Sequence, residues 1–283
     1  VYVIDDKLIE DTAAGKGGME HPSNLGVQLA RELQKEFGGR IFMVDPPCVD
    51  ELCDMARMTG IDGVPRHTNM HALNLRGVAM HHAKHVLGKK YEDCCFIVCH
   101  IDGGISVSAH RYGRIIDCND AAGGDGPYTP TRIGSVSVAD ILEYVRDKDI
   151  DEVKKLCTRT GGFVSHFGTS SSDAVHKMAE EGNKKAIRVW DGMKYQIVKY
   201  IGAMAAVLGG RVDGILLTGG LLRFEDITQT IREQCGWIAP VSTYPGEVEH
   251  EALAAGALRV LRGEEEPKHY TGRPVWDGWH DED

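Results

Sequence analysis

The stretch that organises the sequence is Cys95-Phe-Ile-Val-Cys-His-Ile-Asp-Gly-Gly-Ile-Ser-Val-Ser-Ala-His110. An apolar run, a two-glycine turn and a second β-prone run predict two strands joined as a hairpin, with Asp102, Gly103 and Gly104 in the turn. Because glycine carries no side chain, the backbone N–H groups of such a turn can approach a phosphate closely. Most Asp-Gly-Gly turns only reverse the chain, so this stretch alone leaves both interpretations open.

Four more segments extend the pattern: Arg111–Asn119, a predicted third strand; Gly123-Gly-Asp-Gly-Pro-Tyr-Thr-Pro-Thr-Arg132; Leu216-Leu-Thr-Gly-Gly220; and Tyr244–Ala257. Two short motifs, Val44-Asp-Pro46 and His71-Ala-Leu-Asn74, precede the third strand. Their order and spacing resemble the acetate and butyrate kinases of the acetokinase family, with the butyrate kinases the most similar. The resemblance runs from about residue 1 to about residue 265.

The resemblance implies an α/β protein with the ribonuclease-H-like, duplicated fold of the actin-type ATPases. It also implies an amino-terminal phosphate hairpin and an early substrate-binding arginine, and the sequence contains neither. We therefore expect the amino-terminal copy to be truncated, which also agrees with the lack of an internal repeat. The predicted parts are a remnant of the amino-terminal domain (1–65), a nucleotide-binding domain (66–250), a helix returning to the first domain (251–265) and a tail (266–283).

The function implied by the resemblance is that of a carboxylate kinase, which uses ATP and Mg²⁺ to convert butanoate to butanoyl phosphate. The preferred short-chain or branched-chain acid cannot be read from the residues. For the 283 residues alone we expect weak ATP binding and no acyl kinase turnover, with activity in a longer parent. Family members form homo-oligomers, and we expect the same here.

Two other classes stay open. One is a nucleotide-binding protein of this fold with impaired catalysis, which the missing hairpin would produce. The other is a sugar kinase of the same superfamily, against which the motifs His71–Asn74 and Pro130-Thr-Arg132 count, since they resemble the carboxylate kinases.

Phosphoryl transfer requires that two anions be held in line while the charge on the transferred group is neutralised. On the resemblance, Arg132 is the cation for that group, and His71 and His100 add hydrogen bonds to it. Asp45 and Glu251 are the predicted catalytic and metal-organising carboxylates. Glu247 and Glu249 are the alternatives to Glu251 for the metal-organising role. The predicted nucleotide contacts are Gly103, Gly104 and Ser106 for the β- and γ-phosphates, and Gly219 and Gly220 for adenosine.

Two acidic residues have a structural alternative. Asp45 follows a short apolar run and precedes Pro46-Pro47, so it is also suited to capping a turn. Asp102 stands where the family more commonly has glycine. Either its carboxylate points away and only makes the tight turn, or it faces the phosphates and reaches them through Mg²⁺.

Composition limits the classes further. The 42 acidic and 32 basic residues give a net charge of −10, which argues against a nucleic-acid surface. No apolar run approaches the roughly 20 residues that span a membrane. The eight cysteines lie mostly in apolar segments and no signal peptide is visible, which favours reduced thiols and the cytoplasm.

Two sets of residues have metal-ligand spacing, and both favour a structural interpretation. Cys95 and Cys99 share one strand face in a buried run, which indicates core packing. The pairs His67/His71 and His81/His85 lack a third ligand, although His71 also belongs to the family motif.

Periodicity predicts the remaining elements. Leu25, Leu29 and Leu33 are spaced by four residues and mark one face of a helix over Ser23–Phe37. The other predicted helices are Val49–Met58, His67–Leu87, Val138–Arg146, Asp151–Cys157, Ser171–Gly182, Asn183–Leu208 and Glu249–Arg262. The other predicted strands are Ile41–Asp45, Val212–Gly220 and Trp237–Tyr244. Gly161–Gly168 is predicted to be a flexible connection.

Overall fold

A five-stranded mixed sheet forms the centre of the larger part of the chain. The computed structural model describes residues 1–16 and 23–279, which divide into two units. The larger unit is residues 51–248, and the smaller combines residues 1–50 with residues 249–283. The assignment of the smaller unit to a truncated domain copy stays a prediction. Within the described residues, no helix has both the length and the apolarity needed to cross a bilayer.

The sheet has the order β5-β4-β3-β6-β7. Its strands are β3 (Cys95–Ile101), β4 (Ile105–Arg111), β5 (Arg114–Cys118), β6 (Gly214–Gly219) and β7 (Val241–Pro245). The pairs β3/β4 and β4/β5 are antiparallel, whereas β3/β6 and β6/β7 are parallel. The predicted hairpin is therefore confirmed, and its first strand also lies beside the strand that ends in the second glycine turn.

Helices bury both faces of this sheet, which explains why β3 and β6 are continuous apolar runs. The helices with the most buried residues are α4 (Ala72–His85), α9 (Lys184–Val207) and α10 (Glu225–Cys235), and α8 (Ser172–Glu180) packs against α9. In α9, Met193, Ile197 and Ile201 are fully buried against the sheet. Burial of each such side chain contributes about 1.5–3 kcal/mol.

Shorter helices complete the larger unit. They are α3 (Asp54–Arg57), α5 (Val138–Tyr144), α6 (Ile150–Thr158) and α7 (Gly162–Phe167). The segment predicted as a flexible connection thus contains α7, and that prediction was wrong. Phe163 is fully buried beside Trp190, and this apolar anchor outweighs the glycines at either end of the segment.

The smaller unit contains two short strands and three helices among its described residues. They are β1 (Tyr2–Val3), α1 (Asp6–Ala13), α2 (Ser23–Phe37), β2 (Phe42–Met43) and α11 (Glu249–Leu261). Strands β1 and β2 are antiparallel, and Ile4, Leu8 and Val27 form a small core.

Helix α2 was predicted at the correct position, but its Leu25/Leu29/Leu33 face is exposed. Leu25 is 70% exposed and Phe37 is 73% exposed, whereas Val27 is buried. The described residues of this unit contact the opposite side of the helix, so four-residue spacing located the helix without locating its buried face.

Helix α4 begins at Ala72, later than predicted. His67 and His71 therefore precede the helix and are not an i, i+4 pair, because helical spacing requires both residues to be in the helix. His81 and His85 do share α4, with ring centroids 4.8 Å apart.

Candidate active site

Three turns meet at the carboxyl ends of β3, β6 and β7. The Gly219 N–H donates to the Gly246 carbonyl at 2.8 Å, which joins the turns after β6 and β7. Gly219 has φ 108°, and a Cβ there would lie 2.3 Å from the carbonyl oxygen of Ile101, so only glycine fits. The two predicted glycine turns are thus adjacent, at the edge where α/β sheets bind ligands.

Two of the predicted catalytic side chains, from other segments of the chain, pack against the hairpin turn. A Cβ on Gly104 would lie 2.4 Å from Arg132 Nη1 and 2.8 Å from His71 Cε1. Gly104 is buried beneath these two groups, whereas Gly103 is exposed. The structure therefore brings together Arg132, His71 and the turn, which are distant in sequence.

Backbone and threonine contacts hold Arg132 in place. Its Nη1 donates to the Ala121 carbonyl at 2.7 Å, and its backbone N–H donates to Thr129 Oγ1 at 3.1 Å. The same threonine hydroxyl donates to the Gly103 carbonyl at 2.7 Å, which ties the arginine loop to the hairpin.

The Arg132 guanidinium has a charge and an available donor that suit the binding of an anion. Its Nε is buried and has no hydrogen-bond partner within the described part of the chain. Burial lowers the pKa of this guanidinium, and the nearby Asp120 carboxylate opposes that effect. An arginine at this exposure stays charged, so the site has a half-buried cation with an unsatisfied donor.

His71 and His100 form a stacked pair. Their ring centroids are 3.9 Å apart and their planes differ by 16°. His71 Nδ1 lies 2.8 Å from Ser106 Oγ, and Ser106 is fully buried. Ser106 was predicted to line the phosphates, but this position instead favours an indirect role as the group that holds the His71 ring.

Asn74 determines the protonation of His100. Asn74 Oδ1 accepts the Val248 N–H at 3.1 Å, which orients the amide, and Nδ2 donates to His100 Nδ1 at 2.8 Å. Nδ1 is therefore an acceptor and the neutral ring carries its proton on Nε2. Burial, and secondarily the positive charge of Arg132, lowers the pKa of His100 to about 4, so the ring is neutral at pH 7.

The Asp102 carboxylate crosses from the first glycine turn to the second. Oδ1 accepts the Gly103 N–H at 2.7 Å, and Oδ2 accepts the Gly220 N–H at 2.6 Å. The turn-making bond of the first alternative is present, and the other carboxylate oxygen also holds the second glycine turn.

Oxygen ligands for a cation also lie here. His100, Asp102 and Glu247 each contribute one potential ligand atom, and these three atoms lie within 4.8 Å of one another. His100 Nε2 is 3.9 Å from Glu247 Oε1. Because His100 Nε2 carries a proton, the groups of this cluster that can act as metal ligands are the carboxylates of Asp102 and Glu247. Carboxylate oxygens are ligands that Mg²⁺ accepts, so the donor set fits this ion.

The other two predicted carboxylates belong to the smaller unit. Asp45 follows β2 with φ 40°, a left-handed conformation that is strained for a non-glycine residue and is found at functional sites. Glu251 lies exposed in the first turn of α11, next to Glu249. Their predicted roles stay predictions.

A cavity of about 360 Å³ lies behind the Arg132 loop, against α5, α6 and α7. Its lining is mostly apolar and includes Tyr128, Ile133, Ile141, Tyr144, Leu156 and His166. None of the predicted site residues lines this cavity.

Sequence reasoning missed the residues that hold the site. The sequence predicted no role for Asn74, although it belongs to the family motif, and none for Thr129. Both are polar and almost fully buried, and Asn74 follows His71 by three residues. The available signal for Asn74 was its position between Leu73 and Leu75 in the segment that begins with His71.

Comparison with solved structures identifies the fold. The chain is similar to acetate kinase from Porphyromonas gingivalis, with TM-score 0.77 and 20% identity over 92% of this chain and 74% of that one. Acetate kinase from Entamoeba histolytica gives TM-score 0.79 and 15% identity, with 92% and 77% covered. The protein therefore has the actin-type ATPase fold.

Comparison with protein sequences then gives the family. The acetokinase family profile matches residues 64–238. A probable butyrate kinase from Coprothermobacter proteolyticus is 40% identical over 272 residues, and a probable butyrate kinase 2 from Caldanaerobacter subterraneus subsp. tengcongensis is 44% identical over 271. Each match covers 95% of this chain and 76% of the relative. The chain belongs to the acetokinase family, as predicted.

Proposed function

We propose that this chain is a carboxylate kinase that transfers the terminal phosphoryl group of ATP to butanoate or a related short-chain acid. A carboxylate oxygen attacks the γ-phosphorus, the bond from that phosphorus to the bridging oxygen breaks, and ADP leaves with the electron pair. Relatives named as probable butyrate kinases support this substrate class.

The observation that supports the proposal most strongly is the Arg132 guanidinium at the hairpin turn. A half-buried cation with an unsatisfied Nε, in contact with Gly104, suits an equatorial oxygen of the transferred group. Charge accumulates on these oxygens during transfer, and an arginine in this role is worth ~10³–10⁵ in rate.

The stacked histidines supply further donors. His100 is neutral and presents Nε2–H, so it donates a hydrogen bond without adding a second positive charge beside Arg132. His71 is held by Ser106 at the same turn. We assign both rings to the oxygens of the transferred phosphoryl group.

The two glycine turns provide the nucleotide site in this proposal. The exposed backbone at Gly103 suits the β- and γ-phosphates, with Gly104 beneath Arg132. Gly219 and Gly220, at the end of β6, suit adenosine because they carry no side chain that would block the approach of a flat ring. Asp102 and Glu247 would hold Mg²⁺ in the larger unit, and Asp45 and Glu251 are the proposed carboxylates of the smaller one. Mg²⁺ bound with ATP would neutralise phosphate charge.

The test is a hydroxamate assay of acyl phosphate formation by the natural protein that contains this sequence. With Arg132→Ala we expect kcat to fall by ~10³-fold or more, with a smaller effect on nucleotide affinity. Arg146→Ala is the matched control, because Arg146 is exposed, follows the end of α5 by two residues and forms an ion pair with the nearby Glu143. An undiminished kcat in Arg132→Ala would remove Arg132 from the site.

The same assay decides between activity and impaired catalysis. Acetate, butanoate and isobutanoate are compared as acceptors at equal ATP. ATP binding without acyl phosphate formation from any of them would favour the impaired nucleotide-binding protein instead.

We also propose a homo-oligomer that works in the cytoplasm. All eight cysteines lie in the described residues and are free, which supports a reducing compartment. Light scattering on the purified protein tests the oligomer, and a monomeric mass would contradict it.

A further inference from the structure

Asp102 occupies backbone donors of both glycine turns. Its two oxygens accept the N–H groups of Gly103 and Gly220 at 2.7 and 2.6 Å, so one carboxylate bridges the ends of β3 and β6. A Cβ on Gly220 would lie 2.5 Å from Asp102 Oδ2, which shows how closely the carboxylate sits on that turn. Both turns thus already hold an anion that belongs to the chain.

The hairpin consequently has a positively charged side and a negatively charged side. On one side, Gly104 is covered by the Arg132 guanidinium and the His71 ring. On the other, the Asp102 carboxylate lies within 4.8 Å of a Glu247 carboxylate oxygen and of a ring nitrogen of the neutral His100. A polyphosphate bound at Gly103 and Arg132 would therefore lie beside the Asp102 carboxylate.

We propose that Asp102 is a specificity-determining residue that makes the site select nucleotide complexed with a divalent cation over free nucleotide. This inference rests on the proposed function. A free polyphosphate carries only negative charge, so it is repelled by Asp102 and competes with it for the Gly103 N–H group. A divalent cation on the phosphates converts the same carboxylate from a repulsive neighbour into an attractive one.

Calorimetric ATP titrations, with Mg²⁺ and with chelator, test the proposal on the whole protein. For the unmodified protein we expect ATP to bind at least tenfold more tightly with Mg²⁺ than with chelator. In Asp102→Asn, which keeps the shape of the side chain and removes its charge, we expect this ratio to fall severalfold through tighter binding of metal-free ATP. Asp102→Gly, which removes the side chain, should shift the ratio in the same direction.

The matched control is Asp213→Asn. Asp213 also caps a backbone N–H of the sheet, that of Cys95 at 2.8 Å, but at the opposite end of β3. Asp213→Asn removes the same unit of charge as Asp102→Asn. If net charge alone set the ratio of ATP affinities with and without Mg²⁺, that ratio would therefore change in Asp213→Asn too. We expect the ratio of this variant to match that of the unmodified protein.

The outcomes are distinct. An unchanged ratio in both Asp102 variants, with ATP still bound, overturns this inference and leaves the proposed function intact. Equal changes in Asp102→Asn and Asp213→Asn also overturn it. If the unmodified protein binds no ATP under either condition, the proposed function itself fails, and this inference fails with it. Thermal unfolding of each variant shows that the comparison is made between folded proteins.

Discussion

Asn74 determines which ring nitrogen of His100 carries the proton, although it is fully buried. Its amide also donates to Thr218 Oγ1 at 3.2 Å and accepts from the Val248 backbone at 3.1 Å. These bonds fix the amide in one orientation, so the tautomer of His100 depends on the chemistry of one neighbouring side chain. Positioning of this kind is typical of residues that support a catalytic histidine.

The isosteric substitution Asn74→Asp should reverse the tautomer. A carboxylate would accept the proton at His100 Nδ1, leaving Nε2 without a hydrogen to donate. We expect kcat to fall by ~10²-fold or more, as for loss of a single donor to the transition state. Nitrogen chemical shifts of the His100 ring report the tautomer directly.

The control for this change is Asn183→Asp, at the N-cap of α9. Because aspartate caps a helix as well as asparagine does, we expect this variant to keep its activity and the His100 tautomer. Retention of the Nε2–H tautomer together with full activity in Asn74→Asp would contradict the assigned role of Asn74.

Family resemblance was sufficient to predict which residues would meet at the hairpin, but not how they would be held. Arg132 and His71 both contact the Gly104 position, as their shared assignment to the phosphoryl group required. The hydrogen bonds of Thr129 and Ser106 were not predictable, because they join residues far apart in sequence whose directions depend on the packed structure.

At the scale of secondary structure, α7 supports the Arg132 loop. The Val164 N–H donates to the Pro130 carbonyl at 3.1 Å, and the adjoining Gly161 N–H donates to the Thr131 carbonyl at 3.1 Å. Phe163 anchors α7 in the core beside Trp190. The loop that presents Arg132 is therefore attached to the hydrophobic core through this one-and-a-half-turn helix.

Phe163→Ala should lower the free energy of unfolding of the larger unit by about 3–5 kcal/mol, because it leaves a cavity where an aromatic ring is fully buried. Urea unfolding followed by fluorescence measures the change. Phe37→Ala, at a side chain that is 73% exposed, is the matched control and should change stability by less than about 0.5 kcal/mol. Equal effects of the two substitutions would contradict the burial of α7.

The elements that the sequence predicted well have strong periodicity or long apolar runs, such as β3 and α9. Two helices were not predicted although their signals were present. Helix α1 follows Asp5, whose carboxylate caps the Leu8 N–H, and α10 has buried Ile227, Ile231 and Cys235 at four-residue spacing. Helix α7 could not have been found in this way, because a single buried aromatic ring fixes it.

At the scale of the whole molecule, buried histidines link stability to pH. His110 is fully buried between Tyr91 Oη at 2.7 Å and Ser108 Oγ at 2.9 Å. Burial, with a smaller contribution from Arg76, holds the pKa of His110 well below its usual value. Burial also lowers the pKa of His82, which bonds the Tyr244 hydroxyl at 2.6 Å.

We expect the free energy of unfolding to fall as the pH is lowered from 7 to 5. As the pH falls through about 6.5, the histidines of the unfolded chain become protonated, whereas the buried rings of the folded protein stay neutral because their pKa values are lower. The unfolded state thus binds more protons, so acid favours unfolding. Urea unfolding at a series of pH values measures the slope. His110→Gln should reduce that slope whatever its effect on absolute stability.

The control is His67→Gln, at an exposed histidine, which should leave the slope unchanged. A slope that is the same in His110→Gln and in the unmodified protein would show that His110 does not contribute to this pH dependence.

The smaller unit combines residues 1–50 with residues 249–283, and this separation in sequence affects the order of events during synthesis. Val3 donates its backbone N–H to the Lys268 carbonyl at 2.9 Å, and Lys268 donates to the Val1 carbonyl at 2.8 Å. Residues 1–3 must therefore wait until residue 268 has been synthesised before they can form these hydrogen bonds. The continuous segment 51–248 has no such delay, so it is free to fold while translation continues.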